Sequence, residues 1–258
     1  MTVVKTAVRS HVGRVRHINE DSAWIGLTAN GLVAAVVADG MGGHKAGEVA
    51  SGLAVESLTR SLSGWGEDIA LEASAAKLRE LIASANATVF ETASSNEQYS
   101  NMGTTVVIAL IDSSKVLIGH IGDSRIYRLR DGLLELLTED HTLVNELVKS
   151  GQLSPEEAAI HPHRNWVTRA LGTDREVKAD VELVDWQAGD RLLLCSDGLT
   201  NLVEGDLIEQ TMADPEAGLD RIAEQLIELA LHAGGDDNIT VALIDYDTKL
   251  DVAGGGKA

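Results

Sequence analysis

The chain has 258 residues, of which 44% are hydrophobic, and its 21 Lys and Arg against 40 Asp and Glu leave a formal net charge of -19. That length and apolar content suffice for a substantial core, while the acidity excludes nucleic acid and anionic membrane surfaces as expected partners, since both require basic patches that overcome the overall field. No run approaches the roughly 20 apolar residues of a membrane helix, the start Met1-Thr2-Val3-Val4-Lys5 lacks a signal-peptide core, and the single Cys195 leaves no internal disulfide, so a soluble, cytoplasmic monomer is expected.

Along the chain, an alternating run at 22–27 leads to the turn signal Asn30-Gly31 and then to the apolar run Leu32–Ala38. If Asn30-Gly31 forms a two-residue type I′ turn, Ala29 faces Leu32 and Asp21 faces Gly40. Glu20-Asp21 and Asp39-Gly40 then meet at one end of the hairpin, with a bulge able to shift the register by one residue. Helical periodicity follows at Ala46–Leu62, through Val49, Leu53, Leu58 and Leu62, and again from about Ile69 to Thr92.

Thr104–Ile111 and Val116–Ile121 read as buried strands. Gly122-Asp123 after them is a tight-turn position expected to expose its carboxylate at a sheet edge, ahead of runs at 125–130 and 133–137 joined by the ordinary turn Asp131-Gly132. The pattern changes from Asp140 to Thr173, where helix-like stretches carry Pro155, Pro162, His141, His161 and His163 without an obvious strand. This segment reads as an insertion lying over the scaffold, and His161-Pro162-His163 as a solvated face of it. Strands at Leu192–Cys195 and Ile239–Ile244, a helix at Leu219–His232 and a Gly-rich, flexible tail at 247–258 complete the chain. With no fixed repeat and no internal linker, residues 1–246 read as one domain. Strand pairs separated by long helices, without a βαβ rhythm, favour a sheet-rich layered α+β fold over a doubly wound one.

Asp197 follows the run ending at Cys195 and Asp237 precedes the run starting at Ile239, so on antiparallel neighbours the two share a rim. Each acidic cluster taken alone is compatible with a simple turn. Several carboxylates gathered at one rim would repel one another unless cations neutralised them, and an all-oxygen donor set suits Mg²⁺ or Mn²⁺ better than Zn²⁺.

These residues, in this order, resemble the metal-dependent PP2C-type (PPM) protein phosphatases, in particular the bacterial Ser/Thr-specific group. The resemblance runs over roughly residues 5–246, through Arg16-His17-Ile18-Asn19-Glu20-Asp21, Val37-Ala38-Asp39-Gly40-Met41-Gly42-Gly43-His44 and Met102-Gly103-Thr104-Thr105. It continues in Gly122-Asp123-Ser124-Arg125, Leu137-Thr138-Glu139-Asp140-His141, Cys195-Ser196-Asp197-Gly198-Leu199 and Gly235-Asp236-Asp237-Asn238-Ile239-Thr240. It implies a four-layer α-β-β-α sandwich with a binuclear Mn²⁺ or Mg²⁺ centre at one end of the sheets. There Asp39 would bridge the ions, and the Gly40 carbonyl, Asp197 and Asp237 would complete the ligands. Glu20 and Asp21 would act at the same centre, Asp123 with Asp197 would hold a third ion, and Arg16 would grip the substrate phosphate.

The implied reaction is direct hydrolysis of phosphoserine or phosphothreonine by a metal-activated water, without a phosphoenzyme, on phosphorylated proteins and in relation to a cognate Ser/Thr kinase. Met41 stands where eukaryotic relatives carry His. His44 matches the bacterial pattern and either protonates the leaving oxygen or supports the Gly-Gly turn beside the following helix. The 141–173 segment matches the family's variable flap.

Other phosphate chemistries fit less well. A cysteine phosphatase needs C-x₅-R, but Asn201 occupies the Arg position after Cys195; neither a Walker loop nor an H-E-x-x-H motif occurs. The remaining alternative is a phosphoprotein-binding module of the same fold that has lost activity, although every expected ligand position carries Asp or Glu.

Overall fold

The computed structural model describes residues 3–42, 46–66 and 70–247. In chain order its strands are β1 (Val3–His11), β2 (Asp21–Leu27), β3 (Val33–Met41), β4 (Gly103–Thr104), β5 (Val106–Ile111), β6 (Lys115–Ile121), β7 (Arg125–Arg130), β8 (Leu133–Leu136), β9 (Asp180–Asp185), β10 (Arg191–Cys195) and β11 (Ile239–Asp247). The helices are α1 (Ala46–Ser63), α2 (Ala75–Ser95), α3 (Leu143–Lys149), α4 (Pro155–Ala159), α5 (Asp197–Thr200), α6 (Gly205–Met212) and α7 (Leu219–His232).

One sheet runs β1-β11-β10-β7-β8 and the other β2-β3-β5-β6-β9, with β4 paired to the end of β3. All of these pairings are antiparallel. The sheets face each other through Val33, Ala35, Val37, Val107 and Ile118 on one side and Ile126, Leu192, Leu194, Ala242 and Ile244 on the other. The alternate residues Ala34, Val36, Ala38 and Ile108 turn outward beneath α1 and α2, against Leu58, Leu78 and Ile82. Burial on both faces explains why β3 and β5 read as unbroken apolar runs, which period-2 patterning alone does not produce. On the opposite flank α7 presents Leu219, Ile222, Ala223, Leu226 and Ala230 at helical spacing to Leu193, Val241 and Leu243. The result is the four-layer α-β-β-α arrangement expected from the sequence.

The hairpin register differs by one residue from the type I′ expectation. Asp21 pairs with Asp39 rather than Gly40, and Leu27 with Val33. The turn is one residue longer: Thr28 Oγ1 accepts the Leu32 N–H at 2.9 Å, Thr28 N–H donates to the Leu32 carbonyl at 2.9 Å, and Gly31 supplies the positive φ of 82°. Asp131-Gly132, with φ of 52° and 80°, is the turn with two left-handed residues, and it joins Arg130 directly to Leu133.

The second helix begins at Ala75, after a 3₁₀ turn at Leu71–Ala73, while Ile69 lies outside the described residues. The run from Thr104 divides at Thr105, whose N–H and Oγ1 bond to the carbonyl and N–H of Asp39. Strands β1 and β9 are absent from the sequence reading because both are sheet edges with charged or half-exposed positions, which weakens the apolar signal.

Gly198 shows how tightly the rim of the sandwich is built, since a Cβ there would overlap the carbonyl oxygen of Asn238. We expect Gly198→Ala to destabilise the fold by about 1–3 kcal/mol in urea denaturation, the range of overpacking in a well-filled interior. An unchanged midpoint would show that this contact relaxes freely.

Candidate metal centre

Strand ends from both sheets converge on one cavity of ≈ 490 Å³, walled by Arg16, Glu20, Asp39, Gly40, Asp123, Asp197 and Asp237, with Thr105, Asn165, Trp166 and Val167 also in its lining. Asp39 comes from the end of β3, Asp197 from the first turn of α5, and Asp237 from just before β11. Asp123 sits where the chain crosses from β6 in one sheet to β7 in the other. It is therefore buried, 8% exposed, and not displayed at a sheet edge as its turn position suggested. Gly122 makes that crossing possible with φ of 102° and no room for a Cβ against Thr105.

Two side chains outside the cavity wall hold this rim in place. Asn238 accepts the Glu20 N–H at 2.7 Å and donates to the carbonyls of Val12 and Ile18 at 2.9 and 3.0 Å, splicing the 12–20 loop to the start of β11. Ser196 donates its hydroxyl to Asp21 Oδ2 at 2.8 Å and accepts the Thr240 N–H at 3.0 Å, joining β2 to the β10–β11 pair. Asp21 thus lies behind the wall, beside its strand partner Asp39, and does not line the cavity. Arg16 reaches Asp237 Oδ2 at 2.8 Å and is half exposed. His44 lies outside the described residues.

The carboxylates are poorly satisfied by the protein itself. Glu20 Oε1, Asp21 Oδ1 and Asp197 Oδ1 are buried without any hydrogen-bond donor, an arrangement that native interiors avoid because such oxygens lose water without replacement. Burial pushes Asp21 up to about 7 and Asp123 up to about 8, in each case reinforced by the charge of Asp197. Asp39 is raised well above the carboxylate range by burial and then by Asp21, Asp197 and Asp123, and Asp197 is raised by burial and Asp237. Glu20 is raised by burial, against the opposing charge of Arg16. Divalent cations with a preference for oxygen are the partners this set lacks, so Glu20, Asp39, the Gly40 carbonyl, Asp123, Asp197 and Asp237 could hold Mg²⁺ or Mn²⁺.

A second group, His120, His141 and Asp180, also brings metal-ligating residue types together. It is satisfied differently. The Gly122 N–H donates to His141 Nδ1, the His141 Nε2 lies 3.0 Å from Asp180 Oδ2, and His120 Nε2 lies 2.8 Å from the Glu139 carbonyl. Arg169 already supplies a cation to this group, 3.6 Å from the same carboxylate. The rings stack at 4.8 Å and tie the start of the 141–173 segment to β6.

Sequence reasoning missed Asn165 and Trp166 in the wall. Trp166 is 58% exposed, and the available signal was a tryptophan set among polar residues outside any apolar periodicity.

Carboxylates converging from two facing sheets, with an arginine beside them, give this α-β-β-α sandwich a site suited to divalent cations and, beside Arg16, to a phosphate. Residues 9–234 match the family model Protein phosphatase 2C, and the chain belongs to that family. It is 42% identical over 242 residues to the serine/threonine phosphatase stp of Listeria monocytogenes, covering 93% of this chain and 94% of that protein. It is 41% identical over 249 residues to the serine/threonine protein phosphatase PstP of Mycobacterium tuberculosis, covering 95% of this chain and 46% of that longer protein. The crystal structure of the Mycobacterium tuberculosis phosphatase superposes with a TM-score of 0.85 at 39% identity, over 96% of this chain and 100% of that one. A PstP catalytic domain in complex with two manganese ions gives a TM-score of 0.83 at 38% identity, with 96% and 100% covered.

The raised carboxylates set the pH response of the metal-free protein. In the unfolded chain Asp titrates near 4, whereas Asp21 and Asp123 titrate at about 7 and about 8 when folded. Across that window the folded state holds more protons than the unfolded one, so stability falls as pH rises from about 4 to about 8. In chelator, Tm should therefore drop between pH 5 and pH 8, and Mn²⁺ should restore it most strongly at pH 8. Asp39→Asn should raise Tm in chelator and reduce the Mn²⁺ increment. Scanning calorimetry with a flat Tm across this range would rule out the charge repulsion.

Proposed function

We propose that this chain is a protein-serine/threonine phosphatase, hydrolysing phosphoserine and phosphothreonine at a binuclear Mn²⁺ or Mg²⁺ centre without a phosphoenzyme. The observation that carries this reading is the set of buried, donor-less carboxylate oxygens on Glu20, Asp21 and Asp197, gathered about a cavity whose mouth holds Arg16. The activity named for its relatives, and the two manganese ions bound to a related catalytic domain, support it.

In this assignment Asp39, the Gly40 carbonyl, Asp197 and Asp237 would hold the two ions, with Asp39 as the central ligand. Glu20 acts at the same centre, Asp21 supports it from behind through its charge on Asp39, and Asp123 with Asp197 offers a third, weaker site. The chemistry such ions supply when bound is Lewis acidity, which acidifies water and neutralises a phosphoryl group. Arg16, held at the mouth by Asp237, turns its planar fork of donors to the phosphoryl oxygens of the substrate. His44 gives a proton to the departing serine or threonine oxygen. The natural substrates are phosphorylated proteins, including the targets of a cognate Ser/Thr kinase, and the 141–173 segment acts as a flap on a single domain. An inactive binding module would not need to keep an acidic residue at every ligand position.

The primary test is turnover of an aryl phosphate and of a phosphothreonine peptide with millimolar Mn²⁺. A folded protein that turns over neither would overturn the proposal. Asp39→Asn and Asp237→Asn should each lower kcat/KM on the order of 100-fold or more, the upper end of what even outer-sphere changes cost a metal site. Arg16→Ala should act mainly on KM. His44→Ala should slow the alkyl phosphopeptide more than the aryl phosphate, whose leaving group needs no proton. If Asp123→Ala leaves activity unchanged throughout a Mn²⁺ titration, the third site has no part in catalysis.

A further inference from the structure

Trp166 is the large exposed aromatic at the mouth of the carboxylate cavity, and its position is strongly constrained. Its ring stacks on His163 at 3.8 Å with 29° between the planes. Its N–H donates to the His163 carbonyl at 3.1 Å, its carbonyl accepts the Leu143 N–H at 2.9 Å, and the next residue, Val167, bridges to Thr142. Trp65 and Trp186 are buried and Trp24 is partly buried, so Trp166 is the one tryptophan that is mainly exposed. A rigid, exposed indole has little conformational freedom left to lose on making a contact.

Directly beside it, Asn165 also borders a second cavity of ≈ 390 Å³ beneath α3 and α4, and this cavity shares Asp123 and Asp197 with the first. The two cavities therefore adjoin, with Asp123, Asn165 and Asp197 in the walls of both. The second has an aliphatic lining that includes Val144, Val148, Pro155 and Ala158. Apart from Asp123 and Asp197, the acidic groups in its lining are already engaged: Asp140 takes two oxygens' worth of hydrogen bonds from Arg125, at 2.9 and 2.6 Å, and Glu139 pairs with Lys149 at 2.6 Å. With those charges matched internally, the part of the groove under α3 and α4 offers a mainly apolar surface to its occupant.

We propose that the groove is a side-chain pocket for the substrate. A phosphorylated polypeptide crosses the face of Trp166 next to its phosphoresidue and places a neighbouring aliphatic side chain of leucine or methionine size under α3 and α4. Selectivity for phosphoproteins over small phosphates then comes from Trp166 and this pocket, while Arg16 and the carboxylates serve both. The inference rests on the phosphatase reading of the adjoining cavity.

The test compares two phosphothreonine peptides, one with leucines flanking the phosphoresidue and one with glycines, against an aryl phosphate as the reference without a flanking chain. Trp166→Ala should lower the ratio of kcat/KM for the leucine peptide to that for the aryl phosphate about tenfold, through KM, and Trp166→Phe should restore most of it. Ala159→Glu, an exposed substitution on the pocket wall, should abolish the preference for leucine over glycine. Binding of the leucine peptide as its non-hydrolysable phosphonate, followed by calorimetry and by shielding of tryptophan fluorescence from acrylamide, should weaken in parallel in Trp166→Ala. Equal ratios in wild type and both variants, or no leucine preference in the wild type, would overturn the pocket. Absence of turnover on all three substrates would instead count against the phosphatase reading, and the phosphonate titration would then decide the pocket by itself.

Discussion

Asp21, Asp39, Asp123 and Asp197 bring acidic groups into a region from which water is largely excluded, and their charges raise one another's affinity for protons. That repulsion is the constraint around which the rim is arranged. The two sheets are held face to face by a broad apolar interface, and this interface places the strand ends, with their carboxylates, at a single edge. A fold with a weaker interface would relax by splaying the strand ends and hydrating the acids. Here the packing resists that relaxation, so the remaining ways to relieve the charge are protonation or cations.

Small residues and side-chain amides make this convergence sterically possible. A Cβ on Gly40 would overlap the Gly47 carbonyl, and one on Gly198 would overlap that of Asn238. These close approaches let α1 and α5 start at the rim. Asn238 and Ser196 then tie the loop before β2 and the end of β10 to β11 through bonds whose partners are distant in sequence. The precision of the acidic cluster comes from these connections, because a carboxylate repelled by its neighbours does not hold its own position.

The 141–173 segment follows a different physical logic. It has no strand in either sheet and attaches through the stacked His120 and His141, the Arg125–Asp140 pair at its start and a bridge from Leu171 to Thr104, while Thr142 bridges within it to Val167. Polar attachments of this kind fix its base while leaving an aliphatic hollow beneath α3 and α4. Cavity and hollow share Asn165, so the segment lines both, and it adds Asn165, Trp166 and Val167 to the carboxylate cavity without contributing a carboxylate.

The sequence by itself determined the strands buried on both faces, the helices α1 and α7, and the acidic residues at strand ends, because continuous apolar runs, helical spacing and turn residues are local signals. It also carried the family, through short motifs in a fixed order. It did not determine the pairing of Asp21 with Asp39, which depends on Thr28 closing a longer turn, nor the burial of Asp123, which depends on its chain crossing between sheets. Edge strands β1 and β9 were illegible because their exposed positions dilute the pattern. Trp166 at the mouth was illegible because its meaning lies in what surrounds it. Local periodicity encodes which residues are buried; only the packing of two sheets and the segment across their rim decides which buried or exposed residues meet.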